Sequence, residues 1–417
     1  MNIDLMRKVD YFAGVPLCAL ATPFVKLASL FFSYVSKQNS LTPRKVLFIE
    51  LSEMGSAILV DPAMRKMQTA ANAELFFVIF KGNAASLRLL NTVPVGNVFT
   101  IRENNLVNLA IDSLRFLLWT RKNKIDTVID LELFSRYSAL LTGLCGAVKR
   151  VGFHAFYNEG LYRGAMLTHR VAYNPTLHIA KNFIALVNAA LASKAERPYS
   201  KTIIDDSEIK LARTPVVESV ILAMRERIRE EFPSYDAARH RIVLINPNAS
   251  DLLPQRRWMP EHFVTVMRDL LTKSDDLLVL ITGAPAERDQ AENLKKQVAH
   301  ERCVNFAGKQ KLEELPALYQ MAELMLTNDS GPGHFSSVTD LRTFVLFGPE
   351  TPLLYGSLGN STPIYAGLAC SPCVSAANHR KTPCSDNVCL QVIKPEAVLL
   401  QLREALVKNH QPKNSAK

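Results

Sequence analysis

The sequence lacks any long run of basic residues, although its 417 residues carry a formal net charge of +10. Such a charge balance favours an anionic partner, and the candidates are a nucleotide, a phospholipid surface or a nucleic acid. Because the lysines and arginines are scattered and no RNA-binding signature is present, we expect no nucleic-acid partner. The composition, 48% hydrophobic and 21% charged, excludes an intrinsically disordered chain and a polytopic membrane protein.

The N-terminal segment, residues 1–43, lacks an apolar run long enough to be an obvious membrane span. The stretch 11–25 carries no charge, but Pro16, Pro23 and Lys26 interrupt the apolar pattern. No small-x-small cleavage site follows it, which disfavours a signal peptide. Two interpretations remain: an amphipathic or re-entrant segment lying on the inner face of the membrane, or a pair of helices packed on the protein itself.

Strands and helices alternate along the rest of the chain, which is typical of an α/β protein. Apolar runs predict strands at 45–49, 74–80, 127–131, 241–246, 277–282, 303–306, 323–328 and 343–347. We therefore predict two Rossmann-like doubly wound domains, over 44–215 and 216–400, that face a central cleft. A charged and mostly helical connector is predicted over 202–239, and a short tail over 401–417.

Polar motifs follow three strands of the second predicted domain. They are Asn246-Pro247-Asn248 with Arg256 and Arg257, a turn ending in Glu287, and Asn328-Asp329-Ser330-Gly331-Pro332-Gly333-His334. Ligands of such sheets bind beyond the carboxyl ends of the strands. Arginines pair well with a diphosphate, a glutamate with ribose hydroxyls, and the start of a helix capped by a serine with a phosphate. Together the loops predict a site for a nucleotide diphosphate.

These residues resemble glycosyltransferase family 9, the heptosyltransferase family, which has the GT-B fold. The similarity covers the chain from Lys45 to Leu402 and is most specific in the motifs N-P-N-A-S, R-R-W-M-P-E-H-F, T-N-D-S-G-P-G-H and V-L-F-G-P-E-T-P. The resemblance implies an inverting, metal-independent transfer of a sugar, heptose or a related one, from a nucleotide-diphosphate donor to a lipid-linked saccharide in lipopolysaccharide core or surface-glycan synthesis. It also implies a cytoplasmic enzyme peripherally bound to the inner membrane of a Gram-negative-type bacterium.

The resemblance also suggests roles for individual residues. It implies that the donor is held by a set of C-terminal side chains and turns: Asn248, Arg256, Arg257, Glu287, Asp329, Ser330, Gly331 and His334. Arg256 would meet the diphosphate, and Glu287 would lie near the ribose. His334 would either contact the donor or cap the helix region. In the N-terminal half, Glu132 and Arg136 lie in segments that resemble the acceptor side.

One position departs from the family pattern. The first glycine turn of the family usually carries Gly-Asp, and this Asp acts as general base, whereas this chain has Gly55-Ser56. A serine needs an activating partner to serve as a base at neutral pH. Two carboxylates are near in sequence, Glu53 and Asp61, and we predict Glu53 as the base. The alternatives are a different acceptor geometry or lost catalysis.

Four of the seven cysteines crowd into the loop 370–389 with the spacing C-x2-C-x10-C-x4-C: Cys370, Cys373, Cys384 and Cys389. Four thiolates with this spacing can enclose zinc or a single iron, so the pattern predicts a structural metal rather than a catalytic one. The alternative is four reduced or redox-paired thiols. No cofactor is expected for catalysis itself.

Two other functions remain open from the sequence. A degenerate GT-B protein would bind nucleotide or saccharide without transfer, and Ser56 is the residue that favours it. A GT-B nucleotide-sugar epimerase would share the fold, but it would need neither a lipid acceptor nor a membrane segment.

Overall fold

The structure of the chain is a computed structural model that describes residues 3–35, 42–51, 54–133, 135–157, 160–375, 378 and 380–408. The chain divides into two compact units. Unit 1 comprises Met1–Lys210 together with Ala376–Arg380, and unit 2 comprises Leu211–Ser375 and Lys381–Lys417. The division at 210/211 lies close to the boundary that we predict at 215/216.

Unit 1 is built on a sheet of six parallel strands in the order β3-β2-β1-β4-β5-β6. These strands are β1 Lys45–Ile49, β2 Glu74–Phe80, β3 Val98–Ile101, β4 Thr127–Asp130, β5 Lys149–Phe153 and β6 His169–Val171. The helices are α1 Ile3–Phe12, α2 Gly14–Val35, α3 Met54–Leu59, α4 Asp61–Ala71, α5 Leu106–Lys122, α6 Arg136–Leu144 and α7 Ile179–Leu191.

Unit 2 repeats this topology, because its sheet has the order β12-β11-β10-β7-β8-β9 and is also parallel throughout. Its strands are β7 Arg241–Asn246, β8 Leu277–Ile281, β9 Cys303–Asn305, β10 Ala322–Asn328, β11 Arg342–Phe347 and β12 Ser361–Tyr365. Its helices are α8 Glu218–Glu231, α9 Pro260–Lys273, α10 Arg288–Val298, α11 Leu315–Met321, α12 Gly331–Phe335, α13 Pro352–Tyr355, α14 Val388–Gln391 and α15 Pro395–Lys408.

Short 3-10 helices complete the two units at Lys81–Leu89, Val95–Asn97, Asp206–Ile209, Pro254–Arg256, Pro285–Glu287, Leu312–Glu314 and Ser336–Val338. The predicted helical connector over 202–239 is wrong in its first half, which is irregular apart from one of these turns. Asp205 caps that turn, and Pro215 with two β-branched residues precedes α8, so a continuous helix is disfavoured there.

The central strands are apolar on both faces because helices cover both sides of each sheet. All five residues of β8 are buried, as are the last five of β7 and of β10. In each sheet the strand order reverses between two neighbours, β1 and β4 in unit 1 and β7 and β10 in unit 2. The loops that leave these strands diverge, and the crevice between them is where doubly wound sheets bind ligands.

The two N-terminal helices pack on unit 1, as one of the two interpretations of residues 1–43 predicts. Cys18 and Val25 of α2 lie in a small buried cluster with Ala139 and Met166. The other side of α2 is exposed, and the stretch Leu5–Leu30 is long and apolar enough to cross a membrane by length and composition.

Candidate functional site

Asn328, the last residue of β10, ties together the loops at the reversal point of unit 2. It is fully buried; its Oδ1 accepts a hydrogen bond from the Trp258 N–H at 3.0 Å, and its Nδ2 donates to the Pro247 carbonyl at 2.7 Å. One side chain therefore fixes the loop after β7, the start of α9 and the end of β10 relative to one another.

A second polar cluster joins the loops after β7 and β8. The Asn248 Nδ2 donates to the Thr282 carbonyl at 3.3 Å, and the Glu287 Oε2 accepts from the Ala284 N–H at 2.6 Å. A Cβ atom on Gly283 would lie 2.8 Å from Asn248 Nδ2 and 2.9 Å from Glu287 Oε2. A larger residue would have to displace these two side-chain ends, and the structure thus brings together the two residues predicted from separate motifs.

Arg256 lies buried beside two carboxyl groups. Its Nη1 is 3.6 Å from Glu350 Oε2 and 4.0 Å from Asp329 Oδ2, too far for a hydrogen bond to either. Its buried Nε has no hydrogen-bond partner among the described residues. A buried guanidinium with open donor positions is costly unless a ligand completes it, and a phosphate is the ligand whose geometry matches.

The two carboxyl groups beside Arg256 favour the protonated state. Burial raises the pKa of Asp329, and Arg256 opposes that effect. Burial and the neighbouring Asp329 together raise the pKa of Glu350 well above its usual range. Of the two carboxyls, Glu350 has the pKa that the neighbouring charge raises further, so a proton on the pair favours Glu350 over Asp329. This leaves the cluster without excess negative charge.

Arg257 differs from Arg256 in its surroundings. Its Nε and Nη2 donate to the Ala249 carbonyl at 3.1 and 2.7 Å, and its Nη2 also pairs with Asp251. These bonds brace the loop after β7. Of the two predicted arginines, Arg256 therefore has the guanidinium that is left open.

The motif after β10 forms the predicted helix start, with one difference. Ser330 is the N-cap of α12, and Pro332 lies in its first turn. The Ser330 side chain does not cap the helix, because its Oγ donates back to the Asn328 carbonyl at 3.2 Å. Gly331 packs against the ring of Phe335, and His334 is half-buried in the same short helix. Their contact with a donor stays a prediction.

Three carboxyl groups meet at the corresponding reversal point of unit 1. Glu50 follows β1, Asp130 ends β4, and the Glu132 Oε1 accepts from the Leu51 N–H at 2.9 Å. Burial, Glu132 and Asp130 raise the pKa of Glu50 well above its usual value, while Arg380 opposes the rise.

The predicted catalytic turn is described only in part. Glu53 lies outside the described residues, and Ser56 is half-buried in the first turn of α3. Asp61, the other carboxylate considered, is fully buried; it pairs with Arg65 Nε at 2.7 Å and accepts a hydrogen bond from Thr92. Asp61 is thus held in a structural network.

The predicted acceptor residue Arg136 anchors the N-terminal helices. Its N–H and Nη1 donate to Asp10 at 2.8 and 3.1 Å, and its guanidinium lies over the ring of Tyr11. A direct contact of Arg136 or Glu132 with an acceptor stays a prediction.

The four clustered cysteines do not assemble into a metal centre. All four are free thiols: Cys370 is exposed, Cys389 is buried, and Cys384 donates to Asp386 Oδ1 at 3.3 Å. Among the described residues no three metal-ligating side chains come together. The structure therefore does not support the predicted metal. The pKa of Cys389 is raised to about 11, first by burial and then by the nearby thiols of Cys370, Cys373 and Cys384.

Two parallel six-stranded sheets of this order, each with polar loops at the reversal point, define a GT-B glycosyltransferase architecture. The structure of ADP-heptose lipopolysaccharide heptosyltransferase II from Escherichia coli matches with a TM-score of 0.66 at 17% identity, covering 88% of this chain and all of that one. The family model for glycosyltransferase family 9 (heptosyltransferase) matches residues 115–382. The chain belongs to this family.

Two curated relatives are similar over part of their length. Lipooligosaccharide heptosyltransferase 2 of Campylobacter jejuni is 29% identical over 175 residues, which is 41% of this chain and 52% of the relative. Lipopolysaccharide core heptosyltransferase OpsX of Haemophilus influenzae is 25% identical over 256 residues, 60% of this chain and 65% of the relative. The chain thus spans between half and two thirds of these relatives.

Sequence reasoning missed Asn328, Glu350 and Glu50 as members of these sites. Asn328 and Glu350 stand inside the family-like motifs T-N-D-S-G and G-P-E-T-P, so their position was visible. Their burial was not, because a polar residue after a strand is usually solvated. Glu50 follows an apolar strand directly, and only the fold brings it near Glu132.

Proposed function

We propose that this protein transfers a sugar, heptose or a related one, from a nucleotide-diphosphate donor to a lipid-linked saccharide acceptor in lipopolysaccharide core or surface-glycan synthesis. Family membership supports the reaction class, and the names of the two curated relatives support the pathway. Unit 2 would hold the donor, and unit 1 the acceptor.

The observation that carries the proposal is the open guanidinium of Arg256 at the reversal point between β7 and β10. It lies where doubly wound sheets bind phosphates, and its buried Nε makes no hydrogen bond to any described residue. The diphosphate would fill these donor positions and be stabilised as it leaves. Glu287, beside Asn248 and Gly283, would accept hydrogen bonds from the ribose.

Donor binding is tested by substituting lysine for each of the two arginines in turn. We expect Arg256→Lys to weaken binding of the nucleotide diphosphate about tenfold or more, because lysine cannot supply two parallel N–H donors. Arg257→Lys is the matched control and should change affinity about twofold at most. Calorimetric titration with ADP, GDP and UDP measures both variants and identifies the base. Equal losses in the two variants would contradict the proposed diphosphate contact.

For the chemical step we propose Glu53 as general base. It would take the proton of the acceptor hydroxyl while that oxygen bonds to the sugar C1 and the bond from C1 to the diphosphate breaks. Glu53→Gln should lower kcat about a hundredfold or more, and Ser56→Ala much less, in a transfer assay with ADP-, GDP- and UDP-sugars. If Ser56→Ala is equally impaired, the assignment is wrong.

The second candidate is nucleotide or saccharide binding without transfer. It is favoured by Ser56 at the position of the family's Asp and by the structural pairing of Asp61 with Arg65. The same assay separates the two functions, because this candidate requires nucleotide binding with neither transfer nor donor hydrolysis.

We also propose that the protein works at the cytoplasmic face of the inner membrane. The apolar stretch Leu5–Leu30 supports this location, since one side of α2 packs on unit 1 and the other presents Leu20, Phe24 and Leu27 to the surroundings. An amphipathic helix of this kind lies in the membrane interface.

The structural zinc or iron on the cysteine loop stays a prediction. It is supported by the sequence spacing of the four thiols and by the fact that Cys370, Cys373 and Cys384 lie near enough to Cys389 to raise its pKa. It plays no part in the proposed transfer.

A further inference from the structure

The outer side of α5 carries an apolar stripe that no part of the described chain covers. Val107, Ile111, Leu114 and Leu118 follow each other at helical spacing, and their exposed fractions lie between 39 and 69%. The inner side of the same helix carries Phe116 in the core. A helix on the surface of a water-soluble domain normally presents polar residues outward, so this stripe needs an occupant.

A similar stripe runs along α2. Leu17, Leu20, Phe24 and Leu27 are exposed by 48 to 71%, whereas Cys18 and Val25 on the opposite side are buried. We call the two stripes, Val107–Leu118 of α5 and Leu17–Leu27 of α2, the apolar face of unit 1.

Both helices belong to the layer that covers one side of the sheet of unit 1. Helix α6 lies between them: its Tyr137 hydroxyl is 2.6 Å from Ser113 of α5, and its Arg136 carbonyl accepts from Cys18 of α2 at 3.7 Å. Met6 of α1 and Tyr137 pack on the same core cluster as Phe116. The two stripes therefore point away from the sheet on the same side.

The charges around this face are cationic. Exposed charged side chains in the described parts of α1, α2 and α5 are all basic: Lys8, Lys26, Arg115, Arg121 and Lys122. The acidic Asp10 and Asp112 are paired with Arg136 and Arg102. Apolar stripes whose exposed charged groups, among the side chains that the structure describes, are basic match a bilayer surface with anionic headgroups.

We infer that α5 is a second membrane-contacting helix, which rests with α2 in the interface of an anionic bilayer. This inference rests on the membrane location proposed above and adds an element to it. Two parallel contacts on one side of the sheet would fix the orientation of unit 1 towards lipid, which a single helix does not do.

The test is co-sedimentation of the purified full-length protein with vesicles of pure phosphatidylcholine and with vesicles containing about 30% phosphatidylglycerol. We expect stronger binding to the anionic vesicles, and Leu114→Ser combined with Leu118→Ser should lower the partition coefficient about tenfold. Leu20→Ser combined with Leu27→Ser should lower it similarly. The matched control is Leu400→Ser with Val407→Ser, two exposed residues of α15, which should leave binding unchanged.

The outcomes separate this inference from the proposed membrane location. If the α5 variant binds like the unmodified protein while the α2 variant loses binding, α5 is no membrane contact but the location stands. If the unmodified protein binds neither vesicle, the location itself fails. A dimer in light scattering that dissociates only in the α5 variant would overturn the inference, because a second copy would then cover the stripe. Unchanged thermal unfolding of each variant verifies that the fold is intact.

Discussion

In the donor site proposed for unit 2, binding should depend on the proton of Glu350. With Glu350 protonated, Asp329 and Arg256 balance each other; with both carboxyls ionised, the buried cluster carries a net negative charge facing an incoming diphosphate. The protonation state of one side chain that need not touch the sugar should thus modulate the binding of the donor.

We predict that nucleotide-diphosphate affinity falls as pH rises through the raised pKa of Glu350, and that Glu350→Gln removes most of this dependence. The amide remains neutral and can still donate to Asp329. Calorimetric titrations across a pH series measure the effect, with Glu301→Gln, an exposed residue of the same unit, as control. An identical pH profile in Glu350→Gln and the unmodified protein would contradict the prediction.

The same substitution has a consequence for stability. A carboxyl whose pKa is raised in the folded state binds its proton more tightly there than in the unfolded chain, so stability falls as pH increases above its ordinary value. Glu350→Gln should therefore raise the Tm, and the increase should be larger at pH 8 than at pH 5. A Tm gain that does not grow with pH would show that burial of a charge is not the cause.

Arg256 and Asp329 could be named as candidate donor-site residues because family-like motifs contain them, and their contact with a donor stays a prediction. The sequence pattern does not encode which of the two arginines keeps guanidinium N–H donors without a protein acceptor. Arg256 and Arg257 are neighbours of the same type, and only the fold gives one of them the Ala249 carbonyl and Asp251 as partners.

At the scale of elements, the end of β10 acts through the amide of Asn328. Because β10 adjoins β7 at the reversal of strand order, this residue reaches the loop after β7 and the start of α9 at once. The bounds of β1, β2 and β7 are predicted correctly, since buried apolar runs define them locally. The connector over 202–239 is not, because its charge pattern resembles a solvated helix.

We predict that Asn328→Ala destabilises unit 2 by about 2–4 kcal/mol, because it leaves the Trp258 N–H and the Pro247 carbonyl buried without their partner. It should also weaken nucleotide binding, since the loop that holds Arg256 loses its brace. Urea unfolding and calorimetric titration measure the two effects, with the exposed Asn360→Ala as control. Full stability in Asn328→Ala would mean that water replaces the amide.

The loop 370–389 allows an equally direct measurement. If the four thiols collect a structural metal, elemental analysis of protein purified in reducing, chelator-free buffer should find about one zinc or iron per chain. Cys370→Ser and Cys384→Ser should remove it, whereas Cys303→Ala, an isolated core cysteine, should not. Absence of metal from the unmodified protein would refute the prediction.

At the scale of the whole molecule, a doubly wound parallel sheet in each unit was predictable from the alternation of strands and helices, whereas the shared strand order emerges only from the fold. The assignment of residues 376–380 to unit 1 was not, because the sequence contains no signal that a short piece of a cysteine-rich loop belongs to the first half. Which unit such a segment packs against depends on contacts between residues far apart in the sequence.

The return of Arg380 to unit 1 has a consequence for synthesis of the chain. Unit 1 begins at the N-terminus, yet it includes a guanidinium that opposes the raised pKa of Glu50 and lies 170 residues beyond Lys210. At typical translation rates of about 5–20 residues per second, that arginine emerges roughly ten to thirty seconds after the rest of the unit. Until most of unit 2 has been synthesised, the nascent unit 1 therefore lacks the guanidinium that lowers the pKa of Glu50.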